Sequence, residues 1–505
     1  MKPRFKLSSL LLACLLLALV PMGGALAVDD GYSGTYTYNY DYWGELRDSP
    51  DAYRVETVIY NSTLGLDMPM RKPQSLFVQG EDLYICDTGN NRILKTHRDG
   101  NAFTLVRIYD TVNGAEPATF ASPNDVYVDP EGCLYVADTN NNRVVKMDAE
   151  GRYLMSFVKP TDSTFDQSLS FLPAKVVADS VGRAYVLATN VNKGLIKYES
   201  DGTFTGFIGA NPVTYSLWEY VWKMYFTTKE QRDQQASFVP TEYENICMDE
   251  EGFIYATNTV FSEYDLLYDN AKPIRRLNSI GTDILVKNDK YPPIGDLDWV
   301  EGSLNYGPSK FKDITVLDND IYVAVDRTRG RLFGYDAQGI MLWAFGNKGN
   351  SAGAFLSAVS IEHMGKDLMV LDENECTVTV FTPTEYGSLI FKASEEYLAG
   401  DYDGSADTWR EVLKLNANYN LAFIGIGRSL MREEKYEEAM SYFKMGHDRE
   451  NYGRAYRYYR KDMVEQNIGW IVAIIAALLI IPLVLKWTKK IKGEVQAYES
   501  RQIAR

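Results

Sequence analysis

The stretch Gly132-Cys133-Leu134-Tyr135-Val136-Ala137-Asp138-Thr139-Asn140-Asn141-Asn142-Arg143-Val144-Val145-Lys146 constrains the fold most, because the chain uses it more than once. Leu134, Val136 and the Val144-Val145 pair are β-formers, whereas Asp138 to Asn142 are residues whose short polar side chains favour turns. The stretch therefore reads as strand, polar turn, strand. Leu83-Tyr84-Ile85-Cys86-Asp87-Thr88-Gly89-Asn90-Asn91-Arg92-Ile93-Leu94-Lys95 is a near copy upstream. Ala184 to Leu187 with Leu195 to Lys197 is a degraded copy downstream. A repeated supersecondary unit buries its apolar faces against its neighbours, so the repeat decides the architecture.

The second strand of each unit centres on a marker residue: Tyr84, Tyr135, Tyr185, Tyr255, Tyr322 and Met369, at steps of 51, 50, 70, 67 and 47. A period near fifty with three or four strands per unit predicts a propeller blade, and the long steps carry insertions near 210–240 and 288–310. The fold class is thus mainly β, a six-bladed β-propeller over 53–385. The sixth unit has three strands before Pro383, and the orphan strand Arg54 to Tyr60 is expected to supply its outer fourth.

Cys86 to Ile93 and Ala137 to Val144 resemble the signature of NHL-repeat propellers, with its aspartate, asparagine and arginine in the turn. Unit five keeps a trace in Asp326 to Arg331, and units three, four and six lack the signature. Repetition of Asp87/Asn91/Arg92 and Asp138/Asn142/Arg143 argues for a device that satisfies turn backbone groups rather than for a catalytic site.

Beyond Pro383 the pattern turns helical. Gly400, Ser405 and Trp409 align with Glu434, Ala439 and Phe443 at a separation of 34, and this spacing resembles tetratricopeptide repeats over 386–450. That resemblance implies a protein partner on the helical repeats or on the propeller face. Residues 451–467 read as a juxtamembrane helix rich in Tyr and Arg. Ile468 to Leu485 is an uncharged apolar run long enough for a hydrocarbon core of about 30 Å, with Pro482 inside it and a basic tail at 486–505. At the other end, Lys2, Arg4 and Lys6 precede an apolar run and the small-residue site Ala25-Leu26-Ala27, which makes 1–27 a signal peptide. The Tyr-rich stretch 28–52 reads as a linker. The expected topology is a single-pass protein of the cell membrane, propeller outside and C-terminus in the cytoplasm.

The net charge is −16, and without the leader's +3 and the tail's +4 the outer part carries about −23. Such a surface excludes nucleic acid as a partner and suits cations, basic partners or neutral sugars. Cys86, Cys133, Cys247 and Cys376 stand singly, mostly inside strand patterns, and read as small buried hydrophobes.

No nucleophile elbow, phosphate loop or HExxH motif is present, and His97, His363 and His447 are isolated. The candidate ligand-binding residues open the inner strands at the axial mouth: Asn124, Asp125, Lys175, Glu244, Asn245 and Asp313. Their carboxylates and amides suit a hard cation such as calcium, although Lys175 competes for them. No cofactor is otherwise expected. A second candidate surface is the aromatic part of the insertions, Trp218, Trp222 and Trp299. The leading reading is a binding or scaffold protein with a loose link to transport systems. A metal-dependent gluconolactonase-like hydrolase or amidating-lyase-like enzyme is the alternative.

Overall fold

A computed structural model describes residues 36–503 apart from 192, 210–242, 262–264, 267–270, 288–291 and 299–306. Trp218, Trp222, Trp299 and the leader lie outside the described residues. Six sheets stand radially around one axis. Blade 1 consists of Ser75–Gln79, Asp82–Asp87, Arg92–Asp99 and Ala102–Tyr109, paired in sequence order. The others occupy 123–158, 172–208, 245–277, 311–345 and 358–383. Each inner strand touches the next, and the sixth touches the first, so the ring is closed. Blade 4 has three strands among the described residues.

Closure follows the sequence expectation. Tyr53–Ile59 pairs antiparallel with Thr377–Pro383, with Ile59 opposite Val378 and Arg54 opposite Thr382. The sixth sheet gains its outer strand from the start of the domain, which locks the ring and covers an edge. The marker tyrosines explain the period: Tyr84, Tyr135, Tyr185, Tyr255 and Tyr322 are all buried between blades. Tyr135 stacks on Phe157, which meets Tyr198 of blade 3 edge-on. Each such aromatic contributes roughly 1.5–3 kcal/mol by burial.

The repeated turn is a structural stitch. The Asp138 carboxylate, fully buried, takes the Arg143 Nε–H at 2.9 Å, the Ala121 N–H at 2.7 Å and the Asn141 amide at 2.8 Å. Arg143 goes on to the Pro117 carbonyl, and Thr139 donates to the Pro173 carbonyl of the next blade. Asp87, Asn90, Arg92 and Thr88 repeat the pattern, Thr88 reaching the Pro123 carbonyl. The asparagine on the carboxylate is Asn90 or Asn141, while Asn91 and Asn142 hold the left-handed position, at φ 54° and 53°, which asparagine tolerates. In blade 5 the partner of Asp326 is Arg329, because Arg331, at the motif position, turns to Asp296. Blade 6 keeps half of the device: Asp372 accepts the Ser357 N–H, with no arginine on it among the described residues.

The Tyr-rich stretch departs from the linker reading. Tyr38–Tyr40 and Leu46–Asp48 form a hairpin that extends blade 5 to six strands through the pairing of Tyr38 with Ala344. Tyr38 is completely buried and donates to Asp296 Oδ2 at 2.6 Å, and Tyr40 donates to the other oxygen of the same carboxylate.

Six helices follow: α1 (Glu385–Ala399), α2 (Tyr402–Leu415), α3 (Asn420–Arg432), α4 (Tyr436–Met445), α5 (Arg449–Gln466) and α6 (Ile468–Ile503). Consecutive members of α1 to α5 pack on each other. Gly427 allows the approach of α4, since a Cβ there would stand 2.7 Å from the Phe443 ring. One continuous core runs from Trp343, Phe345 and Phe381 of the blades through Tyr53 and Phe391 to Trp409, Ile426 and Phe443. The helices are therefore fused to the propeller rather than hung from it.

Helix α6 is long and apolar enough to cross a membrane, and its apolar part is not buried against the rest of the protein. The helix runs on past Leu485 into the basic segment. At about 1.5 Å per residue it exceeds a bilayer core, so its lysine-rich end lies past the apolar part.

Candidate functional site

An inner strand turns an unpaired edge to the axis, and its buried N–H groups need acceptors. Side chains from the preceding blade supply them. Asp125 Oδ2 accepts from the Val176 N–H at 2.8 Å, Asp313 Oδ2 from the Ile361 N–H at 2.8 Å and Ser360 Oγ from the Leu76 N–H at 3.1 Å. Ser75, Asp125, Lys175, Asn245, Asp313 and Ser360 hold equivalent places in the six blades and are all buried. In blades 2, 3, 5 and 6 a register shift lies just before that place, a bulge that re-aims the side chain.

Bonds also run sideways around the ring. Ser75 Oγ donates to Asp125 Oδ1 at 2.5 Å, and Lys175 Nζ lies 3.3 Å from both. Asn245 donates to Asp313 Oδ1, and Ser360 Oγ donates to Asp313 Oδ2 at 2.7 Å. Burial alone would lower the Lys175 pKa, but Asp125 and Asp313 raise it, so the ammonium stays charged. Burial pushes the Asp313 carboxyl up, with Lys175 and three hydrogen bonds opposing. One layer deeper, burial and then the Asp313 charge hold Glu362 well above the ordinary carboxylate range, and burial lowers His363. The Thr315 hydroxyl sits between them, 3.3 Å from Glu362 Oε2 and 2.7 Å from His363 Nδ1.

Four of the six axial candidates, Asp125, Lys175, Asn245 and Asp313, come together in this ring. Asn124 and Glu244 do not. Asn124 bonds Thr139, and Glu244 pairs with Lys312 outside the ring, where the lysine overcomes the effect of burial and lowers the carboxyl pKa. The same outer layer holds Glu373 between Gln74, Ser357 and Arg327. Ser75 and Ser360 escaped the sequence reading, although each lies nine residues before its blade's marker, as Asp313 does, and the other three lie ten before theirs.

The ring does not fit a metal. Asp125 and Asp313 already accept from serine, backbone and amide donors, and the Lys175 ammonium supplies the positive charge beside Asp125. A second acidic cluster, Asp249, Glu251 and Asp320, encloses the Arg276 guanidinium, which reaches all three at 2.8–3.0 Å.

An open groove lies elsewhere. A groove of about 1190 Å³ lies between the N-terminal hairpin, the edge of blade 5 and the helices α3 and α5. A neighbouring pocket of about 370 Å³ shares part of this lining and adds Trp43, Phe423 and Met445. His447 belongs to both, with its ring centroid 5.0 Å from that of Tyr42. No sequence motif announced the groove, because its walls come from opposite ends of the chain.

The class defined by this geometry is a six-bladed β-propeller with a fused helical layer, an architecture suited to protein interaction. Residues 120–147, the second blade with its polar turn, match the NHL repeat family. The mouse protein "NHL repeat-containing protein 3" is 28% identical over 141 residues, which are 26% of this chain and 40% of that protein. The match thus spans less than half of the relative. Among solved structures, virginiamycin B lyase from Staphylococcus aureus is 12% identical, with 70% of this chain and 89% of that chain covered and a TM-score of 0.37. BamB from Moraxella catarrhalis is 9% identical, with 61% and 84% covered and a TM-score of 0.31. Likenesses this distant carry no argument about activity.

Proposed function

We propose that the chain is a membrane-anchored extracytoplasmic scaffold that holds a protein partner beside the propeller, as an accessory to a transport system or a similar surface assembly. The observation that carries this reading is the contrast between a closed axis and an open groove. Propeller chemistry at an axis needs side chains free to meet a substrate, whereas the ring carboxylates here are committed to protein donors. The groove offers side chains that are not so committed. Helix α6, exposed and apolar, supplies the anchor, and the fused core holds the groove at a fixed orientation to it.

The test is carbonate extraction of membranes followed by cross-linking and purification of the full chain in detergent. Retention in the membrane with a stoichiometric partner is the expected result. Release by carbonate, or a chain that purifies alone after cross-linking, contradicts the proposal. The helices should not be deleted for this purpose, because removing them strips Tyr53, Trp343 and Phe345 of their cover.

A further inference from the structure

We infer that the groove between the helices and blade 5 binds an extended acidic segment of a partner protein, which deepens and rests on the scaffold reading above. The first ground is charge. Seven cationic against five acidic side chains line the groove, in a chain whose net charge is −16. Two facing helices supply most of the excess: Arg428 and Arg432 from α3, and Arg449, Arg454 and Arg457 from α5.

Pairing within the molecule leaves that excess in place. Arg454 is held by Glu450, and Asp41 takes Arg47 from the hairpin wall. Asp448 is occupied as the cap of α5, accepting from the Asn451 N–H and amide. Among the described residues, Arg449 and Arg457 have no ion-pair partner, Arg432 has only the Tyr397 hydroxyl at 3.4 Å, and Arg428, in no direct ion pair, partly offsets the burial that raises the Asp336 carboxyl. The contrast with Arg276, which three carboxylates surround, shows that this protein pairs its arginines where they serve the fold.

The second ground is the rest of the lining. Asn418, Asn420 and Gln338 present amides, each both donor and acceptor, suited to a peptide main chain. Tyr436 and Tyr458, stacked with ring centroids 5.4 Å apart, supply rigid apolar surface for its side chains. Arg428 and Arg432 stand four residues apart on one helix and so project along one face, a spacing that suits carboxylates separated by neutral residues. A dense polyanion is less suited, because the net negative charge of the chain repels it before it reaches the groove.

The test uses the full chain in detergent micelles and a fluorescein-labelled peptide of alternating glutamate and serine, followed by fluorescence anisotropy. Saturable binding is expected, with none for the alternating lysine and serine peptide. Arg428→Gln combined with Arg457→Gln should weaken it about tenfold, whereas Arg152→Gln in blade 2 should leave it unchanged. An unchanged unfolding midpoint in the double variant assigns the loss to the groove. Affinity that survives the double substitution overturns the inference, as does displacement by anionic vesicles but not by unlabelled peptide. A chain that captures its partner yet ignores the peptide defeats this inference alone, and one that binds the peptide yet captures nothing defeats the scaffold reading alone.

Discussion

The axial ring and the interhelical groove are both built from charged and amide side chains, and they use them in opposite ways. In the ring, Asp125, Lys175 and Asp313 are buried, and each reaches a neighbouring blade. In the groove, Arg432, Arg449, Arg454 and Arg457 are exposed on helices whose other face belongs to the core. The first arrangement raises the cost of losing any member, because an unpaired charge in a low dielectric is expensive. The second has little effect on folding and leaves its charge for another molecule.

The difference can be broken most severely at the ring. Lys175→Met leaves Asp125 buried beside an apolar chain and should cost about 3–5 kcal/mol in urea unfolding, with Asp125→Asn recovering a large part in the double variant. Equal stability of the single variant and the wild type would show that the ring is not a lock. A smaller effect is expected at the wall of the groove. Gly427→Leu drives a side chain into the Phe443 ring and should cost about 1–3 kcal/mol, and it should also lower affinity for the acidic peptide by moving α3.

The pH dependence separates the two regions next. Glu362 has a raised folded pKa, so its contribution is complete below the ordinary carboxylate range and is lost as pH rises above it. His363 has a lowered one, so its contribution is present above the ordinary imidazole value of 6.5 and is lost as pH falls below it. Glu362→Gln should therefore flatten the decline of stability above the carboxylate range and leave the imidazole part in place. Unfolding midpoints measured across pH decide this, and an unaltered profile would count against a raised Glu362 carboxyl in the folded state. The smallest effect on folding belongs to the groove. The pair Arg428→Gln and Arg457→Gln should change stability by no more than about 0.5 kcal/mol per site while weakening peptide binding about tenfold.

How legible each region was in the sequence follows from how it is built. The blades repeat, so the marker tyrosines disclosed their number, and the alternation of Arg54 to Tyr60 disclosed the closing strand. The ring was half legible. Asp125, Lys175, Asn245 and Asp313 stood out as polar residues at strand starts, but serine is unremarkable in that place and Ser75 and Ser360 passed unseen. Bulges add a residue at the same spot, which made Asn124 look equivalent to Asp125 when it points to Thr139 instead. The hairpin at 38–48 left a signal that went unread, since Tyr36, Tyr38, Tyr40 and Tyr42 alternate with Thr37, Asn39 and Asp41, but its second strand, Leu46–Asp48, is too short and polar to announce a partner. Arg331 shows a third limit: it keeps its motif position, yet the carboxylate of Asp296 draws it from Asp326, and Arg329 takes over. The groove exists only once residues near 40, 340, 428 and 457 are brought together, and no local pattern encodes that.

The most direct measurement of the account places a photoactivatable residue at one of three positions and maps what it captures in intact membranes. Arg449 lies in the groove, Lys312 pairs with Glu244 at the start of the inner strand of blade 5, and Arg152 lies in blade 2. Capture of one protein from Arg449 alone, abolished by excess glutamate and serine peptide, is the result predicted. Capture from Lys312 with none from Arg449 would contradict it, since the working surface would then lie at the inner strands of the propeller.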